Sequence, residues 1–425
     1  MQTAQARALL IASFHAALAG ADPLRLVPPY LPAPPSGRTL VLGGGKAAAS
    51  MACAVEAHWP DSAPLQGLVV TRYQHSLPTR RIAVIEASHP LPDGRGAETA
   101  QQMLARAATL TRNDLLLALI SGGGSSLLAL PVAGISLQAL RRVTRALVNS
   151  GAPIQDINTV RKHLTQLAGG QLARAAGAAQ VRALILSDVV GDDPTHIASG
   201  PCCADPSTFG DALAILERFR IEPDAAVHAY LRRGAKGEFA DTPKPGDTCF
   251  ARTENHVIGG ARQMLSAAAD YFLTQGVTVT IVNEAETQSS QQVAQTHARL
   301  VRQIQAGSSA RPRVLLSGGE TTVATEGSGR GGRNAEYLLA LAIELHGMDT
   351  IYALAADSDG IDGTENNAGA LIGPDTLSRA QALGLNPAKL LASHDSHTCF
   401  AALDDLLVTG PTRTNVNDYR AILIT

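Results

Sequence analysis

The sequence predicts an α/β protein of two domains, the first built on a Rossmann-like, doubly wound parallel sheet and the second a smaller α/β domain. Three observations carry that expectation. Continuous apolar runs alternate with stretches of helical periodicity, the pattern of β-α-β units. Several of those runs end in glycine: TLVLGGGK (39–46), LLLALISGGG (115–124) and VLLSGGE (314–320). Finally, 425 residues exceed one ordinary core, and the stretch RGAKGEFADTPKPGDTCFART (233–253) is rich in Gly, Pro and charge, as a join would be. Domains are therefore expected at 1–240 and 241–425.

Composition narrows the function before any motif is read. Lys plus Arg number 35 against 37 Asp plus Glu, a net charge of -2, so no global basic field exists to hold nucleic acid or an anionic membrane. A small-molecule partner is favoured. The five cysteines contain no CxxC, which points to neither a zinc cage nor a disulfide framework and fits the cytoplasm. An apolar stretch at 8–20 imitates a secretory signal, yet Leu10, Phe14, Ala17 and Leu18 fall at helical spacing and His15 interrupts it, so a packed helix is expected. No apolar run approaches the length of a membrane span. A homo-oligomer is left open.

In order along the chain, strands are expected at 39–42, 68–71, 82–86, 115–121 and 183–186, with helices at 47–58, 94–110, 137–148 and 156–167. Beyond the join, helices are expected at 257–273, 291–304 and 335–346. Strands are expected at 277–282, 314–316, 321–325 and 350–356, with a glycine- and arginine-rich loop at 326–333.

The chemistry concentrates where strands end, which is where open α/β sheets bind ligands. Gly43, Gly44 and Gly45 clear the side chains before Lys46, and a lysine at a helix N-terminus opposes the helix dipole unless an anion lies between. Gly122, Gly123 and Gly124 let backbone N–H groups approach an anion, with hydroxyls from Ser121, Ser125 and Ser126 beside them. Gly318, Gly319 and Glu320 repeat that pattern in the second domain, and Arg330, Arg333 and Asn334 follow on a loop suited to bidentate phosphate contact. Asp188, Asp192 and Asp193 follow one strand and Asp357, Asp359 and Asp362 another; such carboxylates could accept a hydroxyl proton or hold Mg²⁺, and Asp357 is the candidate metal ligand. Residues 43–48 also satisfy G-x-G-x-x-A, but Thr71-Arg72 stand where a dinucleotide fold needs an acid for the ribose, which disfavours NAD and leaves NADP open. No G-x-S-x-G elbow is present.

Eight ordered stretches carry a resemblance: GGGKAAASMA (43–52), SGGGSSLLALP (121–131), NTVRKHLT (158–165), SDVVGDDPTHIASGP (187–201), SGGETTV (317–323), GRGGRNAE (329–336), DSDGIDG (357–363) and GPTRTNVND (410–418). Together the succession resembles the class II glycerate kinases, the glycerate 2-kinase type with a C-terminal MOFRL domain. That resemblance implies ATP- and Mg²⁺-dependent phosphorylation of D-glycerate at its 2-hydroxyl, in a cleft between the two domains, with Lys46 and Arg333 as catalytic residues; from the strand-end carboxylates themselves, Asp188 or Asp192 is the candidate for orienting the hydroxyl. An NADP-dependent hydroxypyruvate reductase is the alternative, since relatives carry that name. The chain departs from the family pattern at Arg413, where GPTGTNVND has Gly, and at Cys202-Cys203 after ASGP.

Overall fold

The computed structural model describes residues 1–307, 312–323, 329–346 and 348–425. The chain forms two compact units, one of Pro23–Ile258 and one of Met1–Asp22 with Gly259–Thr425.

The larger unit carries β1 (Thr39–Gly44), β2 (Leu65–Arg72), β3 (Ile82–Ala87), β4 (Leu115–Ile120), β5 (Gln180–Leu186) and β6 (Thr253–Gly259), in the order β3-β2-β1-β4-β5-β6. Pairings β3-β2, β2-β1, β1-β4 and β4-β5 are all parallel. Every residue of β1 and β4 is buried, which explains why those segments read as unbroken apolar runs. The order reverses between β1 and β4, so their carboxyl ends open the crevice where such sheets take ligands. Beside the sheet, the helices Leu137–Asn149, Ile154–Leu164, Phe209–Arg218 and Ala225–Ala235 gather around Leu140, Val143, Val160, Leu164, Phe209 and Leu231 as a separate apolar cluster.

The second unit carries β7 (Thr278–Glu286), β8 (Arg313–Gly319), β9 (Ile351–Asp357), β10 (Gly369–Ile372), β11 (Leu406–Leu407) and β12 (Asp418–Ile424), ordered β11-β10-β9-β12-β8-β7. Here β7 and β8 are parallel, and the final strand β12 inserts antiparallel between β8 and β9. The N-terminal helix Thr3–Gly20 belongs to this unit: Phe14 is buried beside Tyr419, and Ser13 Oγ lies 2.8 Å from the Tyr419 hydroxyl. Among the described residues, no single helix is long and apolar enough to cross a membrane.

The units differ from the expected 1–240 and 241–425 at both ends. The stretch expected to join domains contains the end of a helix, a loop and then β6, which extends the first sheet. Half of β6 is exposed or polar, TENHVIG, so it lacked the apolar run that revealed its neighbours. Its last residues were expected to open the next helix, which instead starts at Ala261. The strand expected at 321–325 is an isolated bridge at Thr322 in its described part; residues 324–328 lie outside the described residues.

Arg413 adopts φ +62°, a left-handed conformation, and its buried Nε has no hydrogen-bond partner among the described residues. Glycine in the family pattern is thereby explained, because a Cβ in that region costs about 1–2 kcal/mol. Arg413→Gly is expected to stabilise the fold by about 0.5–1 kcal/mol once the greater freedom of the unfolded glycine chain is deducted. Equilibrium urea unfolding of the two proteins measures it, and a less stable variant would show that the arginine side chain compensates for its backbone.

Candidate active site

In the larger unit the site grows from three adjacent strand ends. Gly44 of β1 pairs with Ile120 of β4, and Ile120 with Ile185 of β5, so the residues that follow each strand emerge side by side. The β1 and β4 turns are tied together: Lys46 N donates to Gly122 O at 2.8 Å, Ser121 N to Gly44 O at 3.2 Å, and Ala47 N to Ser121 Oγ at 3.0 Å. Gly45 is at φ +141°, and a Cβ there would stand 2.1 Å from Ser121 Oγ, so glycine is required for the turns to close on each other. Gly123, at φ +81°, faces the His89 ring at the end of β3 and the Lys46 stem; its Cβ would meet His89 Cδ2 at 3.0 Å and Lys46 Cγ at 3.3 Å.

Other expected residues sit differently. Gly43 and Gly44 lie within β1 rather than in the turn, and Gly124, Ser125 and Ser126 form a single helical turn, Gly124–Leu127. Asp188 follows β5 and is partly buried, whereas Asp192 is exposed on a left-handed turn at φ +55°. Asp193 accepts from Thr195 N at 2.9 Å and its hydroxyl at 2.7 Å, closing that turn. Asp192 thus serves the loop as a turn residue, a position Asp tolerates.

The second unit has its own charged cluster. Arg333, the first residue of the helix Arg333–Glu344, reaches three strand ends: Nε donates to both oxygens of Asp418 at 2.9 Å, Nη2 to Asp357 at 2.6 Å, and Nη1 lies 3.1 Å from Glu320. Asp418 and Asp357 are cross-strand partners, a like-charge pair that would repel without the guanidinium between them. Burial works against the Arg333 charge, but Asp418, Asp357 and Glu320 outweigh it and hold its pKa well above the usual value. Asp418 also accepts from Arg420 Nη2 at 2.5 Å and Asn334 Nδ2 at 2.8 Å. Asp418 and Asp357 side chains are 0% and 5% exposed while Glu320 is 54% exposed, so Glu320 is the partner that an incoming anion could exchange for.

Arg330, expected beside Arg333 as a phosphate ligand, is engaged elsewhere. Its Nε and Nη2 donate to the two oxygens of Glu365 at 3.2 and 2.7 Å. Asn334 is buried and joins Asp362 and Asp418, a structural link. Asp362 accepts from Asn334 N and Ala335 N at 3.0 and 2.9 Å, yet burial pushes its carboxyl up to about 6 against those donors and Arg333.

That value has a sign. An acid whose folded pKa exceeds its unfolded value of about 3.9 leaves stability untouched below pH 4, lowers it as pH rises from about 4 to 6, and adds a constant penalty above. Asp205 behaves oppositely: burial would raise its pKa, but the Lys162 ammonium at 3.3 Å and hydrogen bonds from Ser207 and Thr242 hold it below the usual range. Its contribution is complete above about pH 4 and is lost as pH falls through its lowered value. Thermal melts between pH 3 and 8 should therefore show a flatter slope from pH 4 to 6 in Asp362→Asn than in the wild type. Identical slopes would assign that carboxyl an ordinary pKa.

Residues 9–232 match the family described as "Domain of unknown function (DUF4147)", and residues 313–418 match the MOFRL family. A D-glycerate 2-kinase of Thermotoga maritima is 37% identical over 356 residues, 83% of each chain. The chain belongs to the glycerate 2-kinase family. The crystal structure of glycerate kinase from Thermotoga maritima covers 99% of this chain and 100% of that one, with a TM-score of 0.87 at 35% identity. A protein of Agrobacterium vitis named "Putative hydroxypyruvate reductase" is 47% identical over 423 residues, 99% of this chain and 94% of that one.

Asp357 is the residue expected to hold magnesium. Its two oxygens are already taken, Oδ2 by Arg333 and Oδ1 by Asp359 N at 2.9 Å. Among the described residues, no group of three or more His, Cys, Asp or Glu side chains is arranged to hold a metal ion. These residues therefore do not form a preassembled cation cage. Sequence reasoning also missed Asp418 and His89. Asp418 closes the last family motif and opens a wholly buried strand, a signal that could have found it; His89 announced itself by nothing local.

Proposed function

We propose that this chain phosphorylates D-glycerate at its 2-hydroxyl with ATP, giving 2-phosphoglycerate and ADP. The observation that carries the reading is the joining of the Lys46 turn to the residue 121–126 turn at the point where the sheet order reverses. A lysine turn joined to a glycine- and serine-rich turn supports phosphoryl transfer, where catalysis is mostly positioning and charge stabilisation. In this reading Lys46 offsets charge growing on the transferring group. Gly122, Gly123 and the hydroxyls of Ser125 and Ser126 hold anionic oxygens. Asp188 accepts the proton of the 2-hydroxyl as the new O–P bond forms and the bond to the ADP oxygen breaks. Within the second unit, Arg333 would exchange Glu320 for an anionic oxygen while Asp418 and Asp357 keep its plane fixed. Magnesium carried on the nucleotide phosphates would supply charge neutralisation there. The cytoplasm is the compartment this chemistry suits.

A reductase reading rests on the name of the Agrobacterium vitis relative and on G-x-G-x-x-A. Two features weigh against it: β2 ends in Thr71-Arg72 with no acid, and Thr71 is buried with its hydroxyl 3.3 Å from Lys46 O. Product regiochemistry tests the kinase. The phosphorylated product passed directly to enolase should be dehydrated without a mutase; a product that needs the mutase would move the transfer to the 3-hydroxyl.

A further inference from the structure

The stretch NTVRKHLT lies on the helix Ile154–Leu164, and nothing above uses its arginine. Arg161 is partly buried, and among the described residues its guanidinium makes no hydrogen bond or ion pair. Burial pushes its pKa down to about 10, and no charge among the described residues opposes that shift. A partly buried cation that lines a cavity with no counter-ion among the described residues is a ready partner for an anion supplied from outside.

The surroundings fit that anion. Arg161 and Thr165 line two adjoining cavities together with Ser125, and neither lining contains an Asp or Glu. One cavity adds Ser126 and a second guanidinium, Arg141, whose Nη2 donates to Pro92 O. The other adds Ser199, whose hydroxyl lies 2.8 Å from Ser125 Oγ and donates to Asn158 Oδ1 at 3.0 Å. Ser199 is held there at a backbone cost. Ala198, Ser199 and Gly200 are three consecutive left-handed residues at φ +50°, +59° and +61°, and such strain persists where the surroundings impose it. The larger cavity has a volume of about 30 Å³, enough to admit a small polar group. Its remaining walls include the apolar Pro90, Ala129 and Leu140, suited to a short carbon chain.

We infer that Arg161, with the Ser125 and Ser126 hydroxyls, binds the carboxylate of the small 2-hydroxy acid substrate. This rests on the kinase reading and deepens it. Ser125 and Ser126 then serve the acceptor rather than the nucleotide, which leaves the Lys46 side of the turn for the phosphates. The guanidinium makes a bidentate, charge-assisted contact that an amide or alcohol analogue cannot reproduce.

The test uses the full chain with Arg161→Met and Arg161→Lys. Both should melt within a few degrees of wild type, because the guanidinium has no protein partner to lose; the lysine variant stands in should the methionine one not fold. The KM for D-glycerate should rise about 10- to 100-fold in Arg161→Met, with the KM for ATP within twofold. D-Glycerate without nucleotide should raise the melting temperature of wild type and not of Arg161→Met, and glyceramide should raise neither. An unchanged glycerate KM, or an equal rise in the ATP KM, overturns the assignment while leaving the kinase standing. Glycerate stabilisation that depends on Arg161, without any ADP formation, supports the site and removes the kinase instead. No glycerate effect on the melting temperature of the wild type and no turnover would remove both.

Discussion

Replacing Lys46 with methionine is expected to lower kcat by about 10²–10³-fold, the usual consequence of removing one group aimed at developing transition-state charge. The fold should not notice. The turn is held by Lys46 backbone atoms, N to Gly122 O and O from the Thr71 hydroxyl, neither of which needs the side chain. Methionine keeps the aliphatic stem that faces Gly123, so packing is preserved while the ammonium is lost. Turnover and melting temperature measured on one preparation separate the effects. A variant that keeps a tenth of the wild-type kcat, or one that fails to fold, would make the lysine structural.

Replacing Arg333 with alanine is expected to have a different signature, a loss of about 3–5 kcal/mol of stability, because it removes the guanidinium that lies between the buried, facing Asp418 and Asp357, although Arg420 stays paired to Asp418. Any fall in activity would then mix chemistry with unfolding. Glu320→Gln is the cleaner probe: it removes the exposed partner alone and should change stability by less than about 1 kcal/mol. Urea unfolding distinguishes the two variants. An Arg333→Ala protein as stable as wild type would show that the cluster contributes little to the fold and that the arginine is kept for ligand alone.

Sequence patterning revealed most of the first sheet, and the reason is burial on both faces. Strands β1 and β4 are wholly buried, so their residues are apolar without interruption and their glycine endings stand out. Strand β6 stayed hidden because edge position and exposure erase the same signal. The N-terminal helix was visible as a helix, but its membership of the second unit was not, since that depends on Tyr419 at the far end of the chain. The site divides along the same line. Lys46 and the glycine turns are local features and can be read locally. Arg330 and Arg333 look alike in GRGGRNAE, and what separates them is which carboxylates the fold brings near: Glu365 for one, Asp357 and Asp418 for the other. Arg161 is the converse case, an arginine distinguished by lining cavities that hold no acid among the described residues, which no spacing along the chain reports.

The central claim is phosphoryl transfer to glycerate at the Lys46 turn, and paired assays on a single purified sample test it most directly. ADP formation is followed with D-glycerate, ATP and Mg²⁺, beside NADPH oxidation with hydroxypyruvate. The account predicts ADP release that requires glycerate and no NADPH oxidation. NADPH oxidation without ADP release would contradict it, and the Gly45 turn would then be a dinucleotide site.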